Sequence, residues 1–231
     1  MGRANSLPIF AIGWQRMLSQ FFSYILQGTS VTIAVTLIAL PFGLILGLLL
    51  ALLYNYGGFW VSRLAAIYSL VMRGVPPIAL LFILYFLLSG RLINLSPFWA
   101  GSISLGIISS AYQMEILRGA LQAVGEGQMI AARAIGMSRL QAIRYIIIPQ
   151  AIRLAIPPWS NEASIVLKDS SLVYAIGVPE ILRRAQQLSA TTQQPFLAFG
   201  AAALIYFLLV FLVNRGLDLL AEKTKLPTSM A

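Results

Sequence analysis

Apolar residues run along this chain in long, nearly unbroken blocks, and charge is concentrated between them. No charged side chain occurs from Met17 to Ser62, from Leu92 to Met114 or from Ala185 to Asn214. Each block exceeds the roughly 20 apolar residues that a helix needs to cross the hydrocarbon core of a bilayer, so three spanning helices are expected there. The stretch from Leu64 to Gly90 is equally apolar except for Arg73, which precedes Gly74-Val75-Pro76-Pro77. One helix with a kink or break at the prolines is expected, because proline removes a backbone donor and clashes with the preceding turn. From Gln141 to Leu167 the apolar pattern continues but is interrupted by Arg144, Arg153, Pro149 and Pro157-Pro158. Irregular backbone at membrane depth needs protein or a water-filled cavity around it, so this segment is expected inside a bundle, facing a pathway.

The pattern therefore predicts an all-α polytopic membrane protein with five transmembrane helices, over residues 28–54, 62–89, 97–120, 141–167 and 195–217. A single membrane domain would occupy 25–220, with a loop at 121–140 and a tail at 221–231. Leu7 to Phe22 mixes Trp14, Arg16 and Gln20 among apolar residues, which suits an amphipathic segment over 1–24 lying in the interface rather than a signal peptide.

Composition agrees with that picture. Of 231 residues 59% are hydrophobic and 10% charged, whereas a soluble domain carries about 25% charged residues. The chain has no cysteine and no histidine, which removes thiol nucleophiles, disulfides, imidazole bases and the ordinary zinc, haem and iron–sulfur ligand sets. The net charge of +9 could suggest nucleic acid, but its position argues otherwise. Arg63, the four arginines of the 118–144 region and Arg215, Lys223 and Lys225 make eight basic residues on one side of a five-span topology, against Arg3, Arg16, Arg91, Arg183 and Arg184 on the other. The excess orients the 118–144 loop and the C-terminus to the cytoplasm and the N-terminus outside. No nucleic acid partner is expected; the lipid bilayer is.

Five helices can barely enclose a polar pathway and rearrange around it, so a homodimer or a paired homologous subunit is the expected unit. Gly43 and Gly47 allow close helix approach, within one subunit or between two. No phosphate-cradling Gly-x-x-x-x-Gly-Lys-Ser/Thr loop is present, so ATP would have to be bound elsewhere. In the expected cytoplasmic loop, Ala131-Ala132-Arg133-Ala134 favours helix, Gly136 suits the left-handed position past a helix end, and Ser138 with Gln141 forms a capping box for the next helix. A short surface helix edged by small residues is either a connector or an element that seats in a partner's groove.

The run Ala131-Ala132-Arg-Ala-Ile-Gly136, nine residues, then Ile146-Ile-Ile-Pro149 resembles the Glu-Ala-Ala signature of binding-protein-dependent ABC importer permeases. Arg73-Gly-Val-Pro76, then Ser110-Ala-Tyr-Gln-Met-Glu115-Ile-Leu-Arg118-Gly119, then Asn161-Glu162 followed by Leu167-Lys168-Asp169-Ser170-Ser171-Leu172 and Ile176-Gly-Val-Pro-Glu180 narrow the resemblance to the polar amino acid uptake family. Together these blocks cover half the chain. The resemblance implies a non-catalytic subunit in the bacterial inner membrane, with cytoplasmic ABC ATPase subunits that carry the ATP and magnesium, a second permease, and an extracytoplasmic amino acid binding protein. It implies that Glu126, Gln128, Ala131, Ala132, Arg133 and Gly136 belong to the element that couples to the ATPase. The chain departs from the family at Ile130, where the acidic residue is usual, and at Glu126, where a lysine is common. Either the partner groove is more apolar here, or Glu126 and Arg133 supply the polar contacts.

Ionisable groups inside a bundle are costly and mark candidate pathway residues. Glu115 and Arg118 lie three apart on one helical face and can simply pair with each other. Glu162 follows Pro157-Pro158-Trp159 with no opposite charge nearby in sequence; it is a candidate for an amino group, or a partner of Asn161. Lys168 and Asp169 are a candidate pair at a helix terminus, Ser170 offers a hydroxyl, and Tyr112 and Gln113 are weaker candidates. A self-contained secondary amino acid carrier driven by an ion gradient is the alternative. It would call for two matched broken helices, and the regions at 73–77 and 149–158 lack matching flanks.

Overall fold

A computed structural model of the chain describes residues 19–92 and 94–224, and every element among them is helical. Residues 1–18 of the expected N-terminal segment and 225–231 of the tail lie outside the described residues. Helix α1 covers residues 19–26 and turns through Gln27 and Gly28 into α2 (Thr29–Tyr56). There follow α3 (Phe59–Gly74), α4 (Pro77–Phe86) with a π-helical extension at Leu87–Leu92, and α5 (Pro97–Ala123). Two short helices, α6 (Glu126–Ala134) and α7 (Arg139–Ala142), lead through a π segment (Ile143–Ile147) into α8 (Ile148–Asp169). A 3-10 stretch (Ser170–Ile176) precedes α9 (Ile181–Thr192) and α10 (Pro195–Thr224).

The residues from Ser19 to Tyr56 and from Pro195 to Leu219 form helices long and apolar enough to cross a membrane. The pair Phe59–Gly74 and Pro77–Ser89 qualifies together but is bent by 111°, far more than a kink. Val75 is extended at the end of α3, and Pro76 and Pro77 start a new helix rather than continuing the old one. The prolines of α8 behave differently. Pro157 and Pro158 sit inside a continuous helix, and Pro149 falls in its first turn, just past the π segment. At 27 and 22 residues, α5 and α8 are long enough to span, and they bury a set of polar side chains, Ser109, Ser110 and Gln113 of α5 and Ser160, Glu162 and Ser164 of α8 among them, with fifteen residues of α5 buried in all.

α5 is the centre of the bundle, packed on α2, α3, α4 and α8. Its approach to α2 is close enough to exclude side chains: a Cβ on Gly43 would lie 2.6 Å from Gln113 Nε2, and one on Gly47 would lie 2.9 Å from the Ser110 carbonyl. Both glycines thus serve packing within the subunit. One apolar cluster joins Ala51, Met114, Leu117 and Ala151 toward the α6 end, and a second joins Val35, Leu81, Leu105, Val166 and Val173. A third, around Ile25, Ile181, Ala202 and Ile205, fixes α9 and α10 against α1. The outward apolar band includes Leu37, Ile45, Leu70, Phe207 and Leu212, all exposed.

The join of α9 to the bundle is built on a buried acid. Glu180 is fully buried, caps α9 by accepting from the Leu182 and Arg183 N–H groups, and accepts the Tyr206 hydroxyl of α10 at 2.6 Å. Gly28 makes room for it, since a Cβ there would be 2.6 Å from Ile181 N.

Candidate functional site

Two faces of α5 organise the polar interior. On one face Ser109 and Gln113, one turn apart, meet α8. Ser109 donates to Glu162 at 2.6 Å, and the Gln113 amide donates to Ser109 at 3.0 Å and to the Leu40 carbonyl of α2 at 3.2 Å. The indole N–H of Trp159 donates to Gln113 Oε1 at 2.8 Å. Glu162 is 3% exposed, so its carboxylate is deep in the bundle, held by a residue 53 positions away and not by its neighbour Asn161, which is exposed. Asp169, seven residues on, returns to the same face of α8. Glu162 and Asp169 line one small cleft with Ser109, Tyr112, Leu105 and Ile165. Two carboxyl groups with a phenol at one cleft form a site suited to a cationic or amino group.

Of the other sequence candidates, Lys168 is exposed, and Ser170 is buried with its hydroxyl donated to the Leu167 carbonyl at 2.7 Å, so that oxygen is already engaged in a local turn.

On the other face of α5, Glu115 accepts from Ser69 of α3 at 2.7 Å and from Arg118 Nε at 2.9 Å, and Arg73 stands 3.8 Å away. Arg118 continues to Gln122 at 3.0 Å, and Gln122 donates to Asn55 of α2 at 3.3 Å. Glu115 and Arg118 therefore form an ion pair within a chain of polar contacts that ties the broken α3–α4 segment to the end of α2. This cluster lies apart from the Glu162 cleft, and the structure does not bring the two together.

Helix α6 projects from the end of α5. Gly125 and Gly136, with φ of +79° and +87°, bracket it, a conformation that glycine adopts without penalty. Only Ala132 is buried; Glu126, Gln128, Ala131 and Arg133 are exposed. Ile130 lies on the side opposite Ala132 and is 67% exposed, and Ile135 and Leu140 are more exposed still. Ser138 and Gln141 form both arms of the capping box that starts α7. Arg133 donates to the Met137 carbonyl within the unit, and Gln150 of α8 donates to Gln128 and ties α6 to the bundle.

Sequence reasoning missed three contacts. Trp159 stands beside the prolines in sequence, and its indole N–H is the one signal there of a need for a buried acceptor, met by Gln113. The hydrogen bond from Ser164 to Asn214, which joins α8 to α10, and the Glu180–Tyr206 contact had no local signature. Among the described residues no group of three or more acidic side chains is placed to hold a metal.

Comparison with known proteins adds a lineage to this geometry. The family described as "Binding-protein-dependent transport system inner membrane component" matches residues 39–226. The octopine transport system permease protein OccQ of Rhizobium meliloti is 34% identical over 209 residues, covering 85% of this chain and 88% of its own length. The glutamine transport system permease protein GlnP of Escherichia coli (strain K12) is 31% identical over 204 residues, covering 87% of this chain and 93% of its own. A crystal structure of an amino acid ABC transporter with histidines superposes with a TM-score of 0.79 at 32% identity, covering 94% of this chain and 99% of that one.

Proposed function

This chain belongs to the family of binding-protein-dependent transport system inner membrane components, and from that membership we propose that it is the permease subunit of an ATP-driven importer of polar amino acids. The supporting observation is the pairing, in one chain, of an acid-lined cleft inside the bundle with a projecting helix outside it. The relatives named for glutamine and octopine transport and the amino acid transporter structure support the substrate class.

In this reading the chain crosses the bacterial inner membrane five times, with the N-terminus outside and α6, α7 and the C-terminus in the cytoplasm. Two permeases, identical or homologous, enclose the pathway. α6 seats in a separate ABC ATPase, which binds ATP and magnesium, and an extracytoplasmic binding protein delivers the amino acid to the outer face. The permease itself catalyses nothing. Its work is alternating access: a bundle with two arrangements, biased from one side by the ATPase and from the other by the loaded receptor. Glu162 and Asp169 would neutralise the amino group in passage, with Asn161, Lys168, Ser170 and Tyr112 around the same stretch. Glu115 and Arg118 would hold the inner end of the pathway, and Glu126, Gln128, Ala131, Ala132, Arg133 and Gly136 would transmit the motion of the ATPase. At Ile130 an apolar side chain occupies the outermost position of α6, so the ATPase groove is expected to be apolar there.

Reconstitution into liposomes tests the reading. Uptake of labelled glutamine or arginine should require a co-purified ATPase, ATP and an external binding protein. Uptake driven by an ion gradient through this chain alone would overturn it. In the same assay Glu162→Gln should lower transport at least tenfold while the complex still assembles; wild-type uptake would remove Glu162 from the pathway.

A further inference from the structure

A second cleft, far from Glu162, opens where α6 meets the ends of α2 and α5. It has a volume of about 360 Å³, at the lower end of the roughly 300–1,000 Å³ typical of small-molecule sites. Glu126 and Arg139 both line it, together with Tyr56, Leu121, Met129 and Ile147. The two charges are unspent: among the described residues the ion pairs are those of Glu115 with Arg73 and Arg118, and neither Glu126 nor Arg139 takes part. The Arg139 guanidinium lies over the Tyr56 ring at 5.6 Å, which holds its planar fork ready for a carboxylate.

We propose that this cleft binds a free zwitterionic amino acid from the cytoplasm, with its carboxylate on Arg139, its ammonium on Glu126 and its side chain against Leu121, Met129 and Ile147. The inference rests on the importer reading. The charge pattern selects the ligand class: a simple anion meets repulsion from Glu126, a simple cation meets repulsion from Arg139, and a molecule carrying both charges satisfies both. Phosphate and nucleotide are disfavoured on the same ground.

The position of the cleft gives binding a consequence. One wall is the end of α2 and α5, which are fixed in the bundle core; the other is α6 and the start of α7, which joins α5 through Gly125, itself a lining residue with φ of +79°, and runs on through the π segment into α8. A ligand spanning the two walls ties the coupling unit to the bundle and favours one of its arrangements. The coupling between this site and the ATPase is then reciprocal: accumulated amino acid slows import, and movement of α6 away from the bundle expels the ligand.

The test uses the whole complex in liposomes, preloaded with whichever of glutamine, arginine or glutamate the system takes up, or with choline chloride at equal osmolarity. Initial uptake of the labelled amino acid should fall several-fold in the preloaded vesicles. Arg139→Gln should abolish that inhibition while keeping the rate in unloaded vesicles, and Arg139→Lys, which keeps the cation, should retain most of it. Absence of inhibition in the wild type, or equal inhibition in the wild type and Arg139→Gln, overturns the proposal. If Arg139→Gln does not assemble, equilibrium dialysis of the labelled amino acid against the purified Glu162→Gln complex decides: retained stoichiometric binding that Tyr56→Leu weakens supports the site, and no binding overturns it. A complex that takes up none of the three amino acids refutes the importer reading instead, so the two failures are separable.

Discussion

Gln113 and Ile130 stand on consecutive helices and obey opposite rules. Gln113 is fully buried, and its amide has partners on α2, α5 and α8. Ile130 is an aliphatic side chain held mostly in the open, on a helix whose remaining outer positions are charged, polar or small. A polar group inside lipid-facing helices is tolerated only with partners, and an apolar group outside them is retained for a partner yet to arrive. The bundle interior thus sets what folds, and the α6–α7 unit is where the proposed reading places docking. Substitutions should separate along the same line.

The largest effect is expected at Gly47. Gly47→Leu drives a side chain into the backbone of α5 at Ser110 and Met114, and the overpacking should cost about 3 kcal/mol, read as a lower thermal transition and loss of the monodisperse peak in detergent. An unchanged transition would mean that α2 and α5 are not the rigid pair described here. Gln113→Leu comes next, since it leaves the Trp159 indole N–H and the Leu40 carbonyl without their partner; about 2 kcal/mol should be lost, measured by the same unfolding.

The α6–α7 unit should respond differently. Gly136→Leu forces a branched side chain into a left-handed backbone at a cost of about 1–2 kcal/mol confined to the loop. The bundle should melt as before, while ATP hydrolysis is uncoupled from transport. A matching fall in bundle stability would erase the distinction between the regions. Ile130→Asp should change stability by less than about 0.5 kcal/mol, because the residue is exposed, yet weaken ATPase association in pull-down. Equal association would show that the exposed isoleucine is not at the contact.

How much of this was legible from sequence depends on the range of each interaction. Gly136 and the Ser138–Gln141 capping box could be read because their causes lie within four residues, and the charge-free blocks could be read because lipid acts on composition alone. Proline was only half legible. Pro76-Pro77 turn the chain by 111°, whereas Pro157-Pro158 sit in an unbroken helix; Gly74 and an extended Val75 precede the first pair, while helical backbone runs straight into the second, whose rings are exposed. The partner of Glu162 could not be read, because Ser109 is set opposite it by the packing of α5 on α8, 53 residues apart. The same applies to Trp159 and Gln113, while Ser170 looked free in sequence and is claimed by its own helix end.

The buried Glu180 carries a consequence for how the chain is made. Its acceptor oxygens serve Tyr206 in the last long helix, and the glycine that clears its place is Gly28, ahead of the first long helix; the Ile181 N–H reaches back to Thr32 across 149 residues. These contacts cannot form until the chain has been made through Tyr206 and α10 has entered the bilayer. α2 must therefore wait, with its Gly28 notch empty, for the turn at Glu180–Ile181, and a nascent chain halted before Tyr206 leaves a carboxylate in an apolar seat without its phenol. Insertion of α10 and closure of this seam are in this way one event, which gives membrane quality control a place to inspect.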